Sequence, residues 1–201
     1  MSSTGKIREP KQERSIETKN KIIAAGYEVF STVGYYGTNT AEIAKVAGVS
    51  TGIVYGYFRD KRDILLCVLK IYIETITKPI YEITENLASP VDVNALVKSV
   101  VDEVIKIHEE NARLHNTLHS LAASDDGVEA QFSELEKDIT VRISKSLTDC
   151  GLNSEHMFEK VHLAMNMLQS FAHEYVFDKH QYIDYAAMRK TVCSMIAGLF
   201  A

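Results

Sequence analysis

Side chains that can hold an anionic oxygen are concentrated in a short stretch of the N-terminal third of the chain. The donors are Thr40, Ser50, Thr51, Tyr55, Tyr57 and Lys61. Hydroxyl, phenol and ammonium donors bind phosphate oxygens, as do the backbone amides at a helix N-terminus. The stretch therefore has the chemistry to contact a polyanion.

The distribution of charge agrees with a polyanionic partner. The chain carries a net charge of −5, yet residues 1–70 contain eleven Lys and Arg against seven Asp and Glu, while residues 71–201 contain eleven against twenty. A basic segment neutralises phosphates and releases condensed counterions, whereas an acidic one is repelled by them. We expect the N-terminal third to face nucleic acid and the remainder to face a different partner.

Three histidines are the strongest candidates for a metal site. His115 and His119 stand four residues apart, and His108 falls on the same face if one helix carries all three. However, Glu110-Asn111 predicts a break between them, and no carboxylate or cysteine completes a ligand set. We therefore expect no metal and no cofactor, although a helical enzyme would have to use this histidine face.

The remaining sequence offers no other reactive constellation. Cys67, Cys150 and Cys193 are far apart, without the spacing of a zinc module or a disulfide framework. We find no nucleophile motif, phosphate loop or catalytic dyad, and expect no enzyme. The first residues lack an apolar signal segment, and no run of about eighteen apolar residues occurs. These features predict a cytoplasmic protein with no membrane partner.

Hydrophobic spacing of three and four residues throughout predicts an all-α fold. Residues 1–14 are polar and are expected to form a flexible arm. A first helix should begin near Ile16 and end at Gly34, where glycine adopts a left-handed cap at low cost. Its expected buried residues are Ile22, Ile23, Tyr27, Phe30 and Val33.

Two short helices separated by a tight turn should come next. Asn39-Thr40-Ala41-Glu42 has the spacing of a capping box and predicts a helix from Thr40 to about Ala47. Gly48 ends it, and Ser50 is a good N-cap for a second helix from Thr51 to Phe58. This is the geometry of a helix-turn-helix. Asp60 should then cap a long helix that Pro79 kinks or ends.

Residues of this region resemble the signature of the TetR family of transcriptional regulators over Ile22 to Leu66. The matching residues are Ile22-Ile23-Ala24-Ala25, Phe30, Gly34-Tyr35, Thr38, Ile43-Ala44, Ala47-Gly48-Val49-Ser50, Gly52, Tyr55, Tyr57-Phe58, Lys61 and Leu65. The resemblance implies a three-helix DNA-binding domain over residues 15–60, followed by a larger helical domain for effector binding and dimerisation over residues 61–201.

The resemblance also implies which residues meet double-stranded operator DNA. The expected contacts are Asn39, Thr40, Ser50, Thr51, Gly52, Ile53, Tyr55, Tyr57 and Lys61. Thr51 and Ile53 should reach base edges in the major groove, and Lys61 is the best candidate for a phosphate contact. One of the two tyrosines should support the helix and the other bind a phosphate. Thr40 could equally be an ordinary first-turn residue.

The C-terminal region should contain five helices, with breaks at Ser89-Pro90, Glu110-Asn111, Ser124 to Gly127, Gly151 to Ser154 and Asp178 to Asp184. The last two, about Glu155 to Phe177 and Tyr185 to Phe200, are candidates for a homodimer interface, because small residues permit close helix approach. Those small residues are Ala187, Thr191, Ser194 and Gly198. Alternatively, these helices only complete the core of the monomer.

An effector site is expected in the same C-terminal region. The candidate lining residues are His115, His119, His162, Met165, Asn166, Gln169, Phe171 and Tyr175. Methionine and aromatic side chains give an adaptable apolar surface that suits a lipophilic molecule, although such a stripe is more often plain core. The resemblance implies a repressor that binds a palindromic operator as a dimer and is released by this effector. The alternative is a DNA-tethered protein that acts through a protein partner.

Overall fold

The computed structural model describes residues 13–201, and its regular structure there is entirely helical, as predicted. Residues 1–12 of the expected arm lie outside this range, while Glu13 and Arg14 already belong to the first helix. The helices are α1 (Glu13–Thr32), α2 (Thr40–Val46), α3 (Thr51–Tyr57), α4 (Lys61–Glu85), α5 (Val93–Glu110), α6 (Ala112–Ala122), α7 (Asp126–Asp149), α8 (Met157–Phe177) and α9 (Tyr185–Gly198).

The first helix buries most of the side chains that its spacing predicts. Ile22 and Phe30 are fully buried, and Tyr27 is half-buried. Val33, expected in the core, is instead 52% exposed. The helix ends at Thr32, one residue too early to keep Val33 on the apolar face. Gly34 then turns the chain with φ +89, a conformation that favours glycine.

The predicted caps form at both short helices. The Asn39 side chain accepts from the amides of Ala41 and Glu42 at 3.0 Å each, and Glu42 Oε2 accepts from the Asn39 amide at 3.1 Å. The Ser50 hydroxyl accepts from the Ile53 amide at 3.4 Å. These bonds satisfy amides that a helix start leaves without partners. The sequence boundaries of α2 and α3 are therefore confirmed to within a residue.

The long helix α4 contains Pro79 and does not end there, which excludes one of the two outcomes that the sequence predicted for this proline. Asp60 caps its start, with Oδ1 accepting from the amides of Arg62 and Asp63. The helix continues through Pro79 to Glu85. Ile80 and Tyr81 are buried in the turn after the proline. Their burial offsets the backbone hydrogen bond that proline cannot make.

Beyond α4, the five predicted helices occur as α5–α9, with breaks at the expected positions. The chain forms two compact units, one comprising residues up to Tyr72 with Arg113–Glu129, the other Ile73–Ala112 with Ala130–Ala201. Thus α6 belongs to the same unit as the first three helices. No helix in the described range is long and apolar enough to cross a membrane.

Each unit has its own apolar interior. In the unit that holds the short helices, fully buried side chains come from several elements: Ile22, Phe30, Ile43, Val54, Ile64, Leu65, Val68, Leu69, Leu114 and Leu118. In the other unit, Val97, Val101, Ala164, Phe171 and Ile196 join α5, α8 and α9. A second cluster of Leu147, Met157 and Val161 joins α7 and α8.

Two glycines of the N-terminal unit differ in their surroundings, and substitution by alanine should have opposite effects. Gly26 lies where α1 packs against α4, whereas Gly56 lies on the open side of α3. A Cβ on Gly26 would lie 2.6 Å from Ile64 Cγ2, so Gly26→Ala should lower the free energy of unfolding by about 1–3 kcal/mol. A Cβ on Gly56 meets nothing within 4 Å, so Gly56→Ala should raise it by about 0.5–1 kcal/mol. Urea denaturation followed by circular dichroism measures both. Equal effects of the two variants would contradict this packing.

Candidate nucleic-acid interface

The third helix places most of its side chains at the surface. Val54 is fully buried and holds the helix to its own unit, whereas Ile53 is 42% and Tyr55 53% exposed. Gly52 and Gly56 are also exposed. A short helix fixed by one buried side chain and open elsewhere is suited to insertion into a major groove. The predicted contact residues Thr51, Gly52, Ile53 and Tyr55 therefore lie on accessible parts of α3.

Two tyrosines tie α3 to its neighbours through hydroxyl pairs. The Tyr55 phenol lies 2.9 Å from Thr40 Oγ1 at the start of α2. The Tyr57 phenol lies 2.9 Å from Ser15 Oγ in α1. Both tyrosines thus support the helix, where the sequence led us to expect support from only one. Each phenol can still accept or donate one further hydrogen bond.

Lys61 is held by the protein itself. Its Nζ donates to the carbonyl oxygens of Tyr35 at 2.8 Å and Thr38 at 2.9 Å. It also lies 4.4 Å from the centre of the Tyr35 ring. The loop between α1 and α2 is thereby fastened to the first turn of α4. Two of the three N–H donors of the ammonium are used in these bonds, so Lys61 is a positioning residue as well as a candidate for a phosphate contact.

Sequence reasoning missed Ser15 and the face of Tyr35 as parts of this site. Ser15 is 42 residues from its partner, and the Tyr35 carbonyl is 26 residues from Lys61. No local pattern marks such pairs. The one usable signal was that the loop after Gly34 leaves carbonyl groups without helical partners, which a nearby cation can satisfy.

The residues predicted to line an effector site are divided between the two units. His115 and His119 lie on α6 with the N-terminal unit, and the other six lie on α8. His115 is buried, its Nδ1 2.7 Å from the Tyr72 hydroxyl, and its ring centre is 4.2 Å from that of His119. Among the described residues, no group of three potential ligands is placed to hold a metal ion.

On α8 the predicted lining residues differ in their exposure. His162 and Asn166 are exposed, while Met165, Gln169 and Tyr175 are half-buried. Phe171 is buried in the core with Val97 and Ile196. Some of the predicted lining residues are therefore core residues, in agreement with the alternative that these apolar side chains of α8 form plain core. The half-buried residues Met165, Gln169 and Tyr175 offer both apolar and polar atoms that remain partly accessible to solvent.

Comparison with known proteins agrees with this geometry. Residues 22–68 match the family described as bacterial regulatory proteins, tetR family. The chain is 43% identical over 76 residues to the HTH-type transcriptional regulator HbdR of Aromatoleum sp. (strain CIB), a match covering 38% of this chain and 33% of that protein. It is 44% identical over 50 residues to the fatty acid metabolism regulator protein of Bacillus subtilis (strain 168), covering 25% and 26%. The chain thus spans a third or less of the length of these two relatives.

Solved structures extend the likeness of fold to most of the chain. A transcriptional regulator from Rhodococcus sp. Rha1 matches with a TM-score of 0.70 and 16% identity, covering 90% of this chain and 95% of that one. A TetR transcription regulator from Haloarcula marismortui ATCC 43049 matches with a TM-score of 0.68 and 15% identity, covering 92% and 97%.

The capped α2 and α3, with the exposed face of α3, define a helix-turn-helix DNA-binding domain. The family match covers this domain, and the likeness of fold extends over most of the helices after it. Residues 22–68 are therefore similar to the DNA-binding domain of the TetR family of transcriptional regulators, and the helices after them share the fold of a solved member of that family.

The contacts of Lys61 predict a structural effect that another lysine of the domain lacks. Lys61→Met keeps the aliphatic stem but removes the ammonium donor from both carbonyls, leaving that of Tyr35 with only the Thr38 amide at 3.3 Å, so the free energy of unfolding should fall by about 1–2 kcal/mol. Lys45→Met, at an exposed position of α2, should change it by less than about 0.5 kcal/mol. Urea titration followed by tyrosine fluorescence measures both. Indistinguishable midpoints would contradict a positioning role for Lys61.

Proposed function

We propose that this protein is a transcriptional repressor that binds a palindromic operator as a homodimer, is released by a lipophilic small molecule, and acts in the cytoplasm by binding rather than by catalysis. The observation that carries the proposal is the surface of α3, whose accessible side chains stand on a helix capped and fixed on its other side.

In this proposal, two side chains contact the base edges directly. Thr51 and Ile53 stand in the first turn of α3, the part of a recognition helix that meets base edges. The phosphate contacts fall to Thr40, Ser50, Tyr55, Tyr57 and the remaining N–H of Lys61. Gly52 allows the backbone to approach a phosphate, and Asn39 fixes α2 through its cap.

Self-association through α8 and α9 is supported by apolar side chains left at their surface. Phe158 is 54%, Leu163 48% and Met195 56% exposed. The small residues Ala187, Thr191, Ser194 and Gly198 lie along α9. Burial of such a face between two copies would remove apolar area from water, and small residues would let the helices approach closely. A symmetric dimer presents two copies of α3 to half-sites about 34–36 Å apart.

Release by an effector requires that the ligand bind two conformations of the dimer with different affinity. The half-buried Met165, Gln169 and Tyr175 on α8 combine flexible apolar surface with hydrogen-bonding atoms. The excess of acidic residues after residue 70 suits a molecule that is lipophilic and cationic. A coupling of about 5- to 150-fold in operator affinity is typical of such systems.

Selection of DNA by the purified full chain tests the proposal. From a pool of random duplexes, the protein should enrich an inverted repeat whose half-site centres lie about one helical turn apart. Repeating the selection with Thr51→Ala or Ile53→Ala should change the preferred bases at a few positions, since these side chains are assigned to base edges. Failure of the unaltered protein to enrich any sequence over bulk DNA would overturn the proposal.

Dimerisation is tested by introducing a charge on the exposed apolar face. Phe158→Glu combined with Met195→Glu should convert the dimer to a monomer and reduce operator affinity at least about 100-fold, because one recognition helix is then left alone. Val141→Glu is the matched control, since Val141 is 45% exposed on α7. Sedimentation equilibrium and operator titration measure both quantities. A double variant that stays dimeric would place the interface elsewhere.

A further inference from the structure

Lys61 and Arg62, two adjacent cationic residues in the first turn of α4, contact different segments of the same compact unit. Lys61 donates to the loop between α1 and α2, through the Tyr35 and Thr38 carbonyls. Arg62 forms a two-point ion pair with Asp125, Nε to Oδ2 at 2.5 Å and Nη2 to Oδ1 at 2.7 Å. The first turn of α4 therefore joins the helix-turn-helix to the turn between α6 and α7.

The carboxylate of Asp125 is held in place by its own segment as well as by Arg62. Its Oδ1 accepts from the amides of Gly127 at 3.0 Å and Val128 at 3.2 Å, which caps α7. Its own amide donates to the Leu121 carbonyl at the end of α6 at 2.9 Å. The Arg62 guanidinium lowers the pKa of this carboxyl, which keeps it charged.

The neighbouring glycine allows the guanidinium to come this close. A Cβ on Gly127 would lie 2.9 Å from Arg62 Nη2 and 3.3 Å from Asp125 Oδ1. Exposed ion pairs usually contribute little, because two long side chains must be ordered. Here the Asp125 side chain is only 15% exposed and already fixed by its cap, and the contact is bidentate. The pair therefore orients the two segments more firmly than a single surface contact.

The same unit contains further ties between α6 and the DNA-binding helices. Arg113, near the start of α6, donates to the Thr32 carbonyl at the end of α1. Two residues further on, in the first turn of α6, His115 Nδ1 lies 2.7 Å from the Tyr72 hydroxyl of α4. The segment from Arg113 to Gly127 is thus held at its beginning and at its end to α1 and α4, the elements that flank the helix-turn-helix.

We propose that the Arg62–Asp125 ion pair is a positioning contact for DNA recognition, through which the turn between α6 and α7 sets the orientation of α3. The inference rests on the proposed DNA-binding function. Only Phe58 to Asp60 separate α3 from α4, and Lys61 fixes the preceding loop to the same turn. A rotation of the first turn of α4 must therefore move the helix-turn-helix with it. Neither Arg62 nor Asp125 needs to touch DNA for this effect.

The effect of Asp125→Asn on operator affinity distinguishes a positioning role from simple electrostatics, because the two predict changes of opposite sign. Asp125→Asn keeps an oxygen that can cap α7 but removes the charge that holds Arg62. Loss of a negative charge by itself favours binding to a polyanion. The positioning contact predicts the opposite, a loss of operator affinity of about fivefold or more. The matched control is Asp126→Asn, which makes the same charge change at the adjacent residue and should bind as tightly as the unaltered protein or more tightly.

The experiment uses the full chain and the duplex that the unaltered protein selects. Titrations at one salt concentration compare the operator affinity of Asp125→Asn, Arg62→Gln, the double variant and Asp126→Asn. Thermal unfolding shows that each variant is folded, and stoichiometric titration gives the fraction of each that is active. The double variant should bind no more weakly than the weaker single variant, since both remove one contact. Unchanged or tighter binding by Asp125→Asn, or additive losses in the double variant, overturns the inference. Failure of the unaltered protein to select any duplex instead overturns the proposed function.

Discussion

The DNA-binding surface depends on keeping two very short helices folded. Both α2 and α3 contain seven residues, and isolated helices below about 12–15 residues are marginal in water. Their stability must therefore come from end caps and from burial against the rest of the unit. The Asn39 capping box and the Ser50 cap supply the first, while Ile43 and Val54, both fully buried, supply the second.

The same constraint explains why residues with binding chemistry also have structural partners. Tyr55 and Tyr57 each pair with a hydroxyl of another helix, and Lys61 holds two loop carbonyls. A side chain fixed by an intramolecular contact loses less conformational freedom when it meets a phosphate. Support of the helix and contact with DNA are therefore compatible roles for one residue. Arg62, in the first turn of α4, adds a contact with Asp125, which is 63 residues away in sequence.

Features that depend on neighbouring residues were predictable from the sequence, and features that depend on distant partners were not. The capping box, the Gly34 turn and the breaks between α5 and α9 arise from residues within about one helical turn of each other. The partner of Arg62 is 63 residues away, and hydrophobic spacing carries no information on it. The prediction that Val33 is buried was wrong because its helix ends earlier than expected.

The composition of α3 limits how it can read a DNA sequence. Its residues, Thr51 to Tyr57, include no Arg, Lys, Asn or Gln, the side chains that make bidentate contacts to guanine or adenine. Thr51 offers one hydroxyl and one methyl group, and Ile53 offers apolar contact suited to a thymine methyl. Discrimination per half-site through direct contacts is therefore modest. In the proposed dimer, specificity then comes largely from the spacing of two half-sites and from the shape of the duplex, and both depend on the relative orientation of the two recognition helices. A contact that orients α3, such as that between Arg62 and Asp125, then affects recognition as much as a residue that touches a base.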